Sequence, residues 1–137
     1  MIDCDSPTLI RVRGLAKTFV LHNQGGVELP VFTALDMDVA AGECVVLSGP
    51  SGCGKSSLMR CLYGNYAPSA GTVELRHDAD WLELSVASPR EVIDARRRSI
   101  GYVSQFLRVI PRVATLDLVA EPLRRLGLAR GLADEQA

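Results

Sequence analysis

Eight consecutive residues, Gly49-Pro50-Ser51-Gly52-Cys53-Gly54-Lys55-Ser56, limit what this chain can fold into more than any other feature. They satisfy every fixed position of the pattern G-x-x-x-x-G-K-[ST], which average residue frequencies produce by chance in a chain of 137 residues on the order of once in two hundred times. The setting is as informative as the pattern. Cys44 to Ser48 (CVVLS) is short, β-branched and continuously apolar, as expected of a strand buried on both faces of a sheet. Lys55 to Tyr63 places Leu58, Met59 and Leu62 on one side of a helical period. Strand, glycine loop and helix in that order predict an α/β fold whose loop wraps an anion. Glycines let the backbone curl, successive amides converge on phosphate oxygens, and the positive end of the helix faces the same charge. Lys55 adds a mobile full charge for the β and γ phosphates of a nucleoside triphosphate, and the Ser56 hydroxyl is placed to ligate Mg²⁺.

Composition narrows the partners. Of fifteen basic residues only Lys17 and Lys55 are lysines, so an arginine-using chain places one of its two slim, flexible ammonium groups in the glycine loop. A net charge of -1 offers no strongly basic face, which argues against a nucleic-acid partner. The one dense basic run, Arg96-Arg97-Arg98, is read as a solvated helix face. Cys4, Cys44, Cys53 and Cys61 form neither a CxxC pair nor zinc-ligand spacing, and Cys44 and Cys61 sit in apolar stretches that suit small buried thiols. A reducing cytoplasm is the expected compartment. No basic-then-apolar leader and no bilayer-length apolar run occur, so no direct membrane insertion is expected.

Along the chain, patterning predicts strands around Leu9 to Val12 and Ala16 to Leu21, a turn at Asn23 to Gly26, and a strand pair over Val31 to Val39. Further strands are expected at Thr72 to Arg76, Trp81 to Leu84 and Ile100 to Ser104. Pro89 opens a charged helix through Arg98, and Leu116 to Leu126 starts a helix interrupted by Pro122. No closing element is expected after Gly127. His22 and His77 are read as surface-loop residues and Trp81 as a packing residue.

Kinases, GTPases and transport ATPases all use such a loop, and the forty-eight residues of mostly β pattern before it argue against a small kinase. GLAKTFVLHNQ, LDMDVAAGECVVLSGPSGCGKSSLMRCLYG, GTVEL and IGYVSQ together resemble the ATP-binding cassette (ABC) family at each landmark, in order, over nearly the whole chain. Within that family the stretch from Tyr63 to Val119 resembles the PhnL-type subunit of the phosphonate carbon-phosphorus lyase system, most specifically in VSQFLRVIPR. A lipoprotein-exporter ATPase is the competing resemblance, and a non-hydrolysing nucleotide-binding module is the reading from another class.

The resemblance implies a division into a β layer (1–43), a P-loop core (44–104), and a Q-loop with the start of a helical subdomain (105–137). It implies that Phe19, in KTF, stacks on the adenine of ATP. Gln105 would contact Mg²⁺ or the attacking water, a dual task suited to an amide that donates and accepts. Ser57 keeps the hydroxyl where threonine is frequent. Cys53 replaces the small residue usual inside the loop, and filler is the preferred reading over a thiolate beside the lysine. ATP with Mg²⁺, a head-to-tail dimer with another ABC subunit, and the lyase core subunits are the implied partners. A complete cassette also carries an LSGGQ-like signature, a Walker B strand ending in Asp then Glu, and a switch histidine. None occurs in the sequence, and Ile93-Asp94 lacks the apolar run before it. The chain is therefore expected to be the N-terminal part of an ATPase, equipped to hold phosphate and without the parts for hydrolysis.

Overall fold

The computed structural model describes residues 7–103 and 111–137. A long antiparallel hairpin pairs β1 (Thr8–Leu21) with β2 (Val27–Ala40), from Thr8 opposite Ala40 to Leu21 opposite Val27. Its tip is a one-turn 3-10 segment, His22–Gln24, closed by Gly25 and Gly26 at positive φ, with the Gly26 amide donating to the Leu21 carbonyl at 3.1 Å. The helix α1 (Lys55–Leu62) follows the glycine loop, and β3 (Ala70–His77) and β4 (Asp80–Glu83) complete a sheet of order β2-β1-β3-β4. Then come α2 (Pro89–Arg98), α3 (Thr115–Arg125) and α4 (Arg130–Gln136).

The two strands expected in the N-terminal segment are one continuous β1, and the pair expected after it is one continuous β2. The interruptions in the sequence pattern are bulges. Leu15 pairs with Leu35 and Lys17 with Phe32, so unequal numbers of residues lie between the paired positions, and Ala34 takes φ 50°. An extra residue shifts the inside-outside alternation without ending the strand. At Arg13 to Ala16 the β1–β3 register also shifts, and Gly71 passes so close that a Cβ there would lie 2.3 Å from the Gly14 carbonyl oxygen. Only glycine allows that approach.

One face of the sheet buries Val12 and Leu15 of β1 with Val73 and Leu75 of β3 against Leu58, Cys61 and Leu62 of α1 and Ala95 of α2. Spacing of three and four residues brings the α1 trio onto one face. Burying each large apolar side chain contributes roughly 1.5–3 kcal/mol, so this seam fixes α1 on the sheet.

Four expectations do not hold. Cys44 to Ser48 is not a strand: Val46 is 81% exposed, Cys44 is exposed, and only Leu47 packs against the core. A strand exists by pairing, and the four described strands pair only with one another. For the same reason residues 100–103 carry no strand, and Ser104 lies outside the described residues. Pro122 does not interrupt α3, since it falls in the last turn and removes one bond near the end. After Gly127 the chain does form a further element, α4, which docks on α3 through the fully buried Ala120 and Ala133 and ion pairs from Arg124 to Asp134 and from Arg130 to Asp117. Two alanines make a contact too small to register as hydrophobic periodicity.

Candidate functional site

The glycine loop leaves irregular backbone and enters α1 with three glycines at positive φ: Gly49 (147°), Gly52 (83°) and Gly54 (97°). Gly54 is the N-cap, and its carbonyl accepts the Leu58 amide at 2.8 Å. A Cβ on Gly54 would lie 2.6 Å from Val31 Cγ1, so β2 presses the loop from behind. No side chain caps α1 and no acidic residue stands in its first turn. Its leading amides therefore keep their donor capacity for an anion from outside. Lys55 curls back over the loop, with Nζ donating to the Gly49 and Pro50 carbonyls, each at 2.7 Å, and standing 3.6 Å from Cys53 Sγ. Ser56 is exposed in the first turn and Ser57 is half-buried. Larger cavities, of about 490 and 590 Å³, lie along α2. A smaller cavity, of about 220 Å³, lies at the loop and is lined by Cys53, Gly54 and Lys55 together with Phe32, Leu47 and Leu58.

Phe19 lies on β1 opposite Leu29. Its ring centroid is 5.4 Å from that of Tyr66, with planes at 83°, and Lys17 Nζ stands 4.9 Å over it. Tyr66 in turn is bound through its hydroxyl to Arg60, on the same helix as Lys55. The loop residues and Phe19 are thus joined through Tyr66 and α1, and neither Tyr66 nor Lys17 was legible as a site residue. Gln105 lies outside the described residues. Cys61 is buried, and that burial raises its thiol pKa.

The chain matches the family model described as ABC transporter over residues 32–136. It belongs to the ABC transporter family. Among curated ABC relatives, an uncharacterised ABC transporter ATP-binding protein of Mycobacterium tuberculosis is 34% identical over 86% of this chain and 34% of its own length. The lipoprotein-releasing system ATP-binding protein LolD of Xanthomonas oryzae pv. oryzae is 36% identical over 94% of this chain and 50% of its own. The chain spans between a third and half of the length of these relatives. Two dimeric structures of the cassette MJ0796 match in fold. One, in a post-hydrolysis state bound to ADP and Pi, has TM-score 0.75 at 24% identity over 93% of this chain and 53% of that one. The other has TM-score 0.76 at 23% identity over the same shares. The fold is thus the α/β fold of an ABC ATPase with an antiparallel N-terminal β layer. No described helix is long and apolar enough to cross a membrane.

Residues outside the loop correct other expectations. His77 ends β3 with a side chain 15% exposed, between Ser99 Oγ (2.6 Å from Nδ1) and Asp94 Oδ2 (3.1 Å from Nε2), so it is a packing residue and not a loop one. The arginine run is only partly a free face. Arg96 donates to the Tyr63 carbonyl and to Asn65 Oδ1, tying α2 to the end of α1, and Arg98 pairs with Asp94 and Asp78. Trp81, by contrast, is the packing residue expected, lying under two guanidinium groups, Arg11 at 4.3 Å and Arg76 at 5.6 Å from the ring centroid.

Proposed function

We propose that the chain binds the triphosphate of MgATP at Gly49–Ser56 as the nucleotide-binding part of an ABC ATPase subunit. The observation that supports this most is the uncapped start of α1 behind three positive-φ glycines, with the Lys55 ammonium folded onto the same loop. The backbone amides of Ser51, Gly52, Cys53 and Gly54 would hold the β phosphate on a turn shaped by Gly49 and by Pro50, which has no N–H to donate, and Lys55 would reach toward the γ phosphate. Ser56 and Gln105 would hold Mg²⁺, the Ser57 hydroxyl would face the bound nucleotide, and Phe19 would stack on the base. Bound Mg²⁺ supplies charge neutralisation between the phosphates. In this reading 1–43 is the β layer, 44–104 the core and 105–137 the Q-loop region.

For the whole protein we favour an ABC subunit of the PhnL type, acting in a head-to-tail dimer with phosphonate lyase core subunits, on the resemblance carried by VSQFLRVIPR. The LolD relatives favour a second reading, the energising ATPase of a membrane exporter. Lyase genes or a permease gene beside the coding sequence would separate the two.

Titrating a fluorescent ATP analogue against the native and Lys55→Ala chains tests the site itself. Losing a charge-assisted contact of about 1.5–3 kcal/mol should weaken binding roughly 10- to 150-fold. Equal affinity for the two chains would refute the assignment.

A further inference from the structure

The segment between α1 and β3 is stitched to β1. Ser69 donates its amide to the Ala16 carbonyl at 2.8 Å, the Thr18 amide donates to Ser69 Oγ at 3.0 Å, and Lys17 Nζ donates to the Ala67 carbonyl at 2.7 Å. These ties seat Tyr66 against Phe19 with the two rings nearly perpendicular, a favoured aromatic geometry. Lys17, anchored on Ala67, covers one face of the Phe19 ring at 4.9 Å and lies 5.7 Å from the Tyr66 ring. Arg60 of α1 also holds Tyr66, bonding its hydroxyl and standing 5.3 Å from its ring centroid.

A phenylalanine on a strand otherwise has a broad, two-fold freedom about its terminal torsion. A stacking surface that must be ordered during binding loses affinity to that ordering. We propose that Tyr66 is a positioning residue for nucleotide recognition: it fixes the Phe19 ring, with Lys17 over it, in the orientation that receives a base. The inference rests on the reading of Phe19 as the base platform. Through Arg60 it also hangs the base end of the site on α1, the helix that starts at the phosphate loop. Tyr66 and Phe19 are far apart in sequence, so no local motif reports the pair.

The test measures the affinity of the 137-residue chain for MgATP, and for inorganic triphosphate by competition, across a set of variants. Tyr66→Ala should weaken MgATP about three- to ten-fold, the usual worth of an aromatic pair, and leave inorganic triphosphate unchanged. Tyr66→Phe, which keeps the ring, should restore most of the loss. Adding Tyr66→Ala to Phe19→Ala should cost nothing further. Should the alanine chain not fold, Tyr66→Leu carries the same comparison. The inference is overturned if MgATP affinity survives loss of the Tyr66 ring, if triphosphate affinity falls equally, or if the loss persists in the Phe19→Ala background. A Phe19→Ala chain that binds MgATP like the native one would instead remove the base-platform reading, and the inference with it, while leaving the phosphate-loop assignment standing.

Discussion

The helices α1 and α2 begin in opposite ways. At α2 Ser88 Oγ accepts the Glu91 amide at 3.4 Å, the Glu91 carboxylate accepts the Ser88 amide at 2.8 Å, and Pro89 fills the first position, where an amide would have no partner. A carboxylate of the chain itself sits at the positive end. At α1 the corresponding place is Gly54, with no capping side chain, no acid in the first turn, and a lysine immediately inside. The backbone dipole is the same in both. In α2 it is satisfied by local residues and contributes to stability; in α1 it is left open, and the offset comes from the apolar seam of Leu58, Cys61 and Leu62. The chain thus stabilises one helix end by sequence-local chemistry and holds the other in place by packing from behind, which frees it for an external anion.

Substituting the two caps is the direct way to break the contrast. Gly54→Ala should have the larger effect, because a Cβ at φ 97° would meet Val31 Cγ1 at 2.6 Å. The backbone strain alone costs about 1–2 kcal/mol, and relief of the clash must shift the Val31 side chain or the loop. Both urea stability and affinity for an ATP analogue should fall. A stable Gly54→Ala chain with native affinity would show that the open start of α1 does not depend on glycine. Ser88→Ala should cost about 1 kcal/mol of stability in the same urea titration and leave nucleotide affinity unchanged. If Ser88→Ala weakened binding, the two helix ends would be coupled, with Arg96 and its bonds to Tyr63 and Asn65 as the route.

How far each end was legible in the sequence follows from how local its chemistry is. The α2 boundaries, Pro89 to Arg98, match the expected ones because proline, serine and glutamate signal within one turn. The glycine loop and Lys55 were equally plain, as were the hairpin turn and β3. Bulges at Arg13 to Ala16 and around Ala34 were invisible, since they are register events between strands, and a single-sequence pattern shows only a broken alternation. Cys44 to Ser48 has the composition of a buried strand, but composition cannot supply the neighbour that would pair it. Tyr66, His77 and Arg96 act through contacts between elements distant in the chain, so nothing in their local sequence marked them.

The smallest effect should appear on acidification, and it separates the two ends by sign of charge. The Ser88 side chain and then its backbone amide hold the Glu91 carboxyl below the ordinary glutamate range. A group whose folded pKa is depressed contributes stability that is present above its unfolded pKa, about 4.3 for glutamate, and is lost as pH falls through the lower folded value. Native protein should therefore lose part of its stability below about pH 4.3, whereas Glu91→Gln should lose less over the same window. An acid-sensitive remainder should persist in that variant, because Asp94 is also held low, first by Arg98 and then by His77. The group is exposed, so the difference should be small and should shrink further with added salt. The α1 end carries no carboxylate in its first turn, so nucleotide-free stability there has no matching acid arm. Identical acid titration of native and Glu91→Gln chains, followed by circular dichroism, would show that the capping box holds α2 through its neutral hydrogen bonds alone.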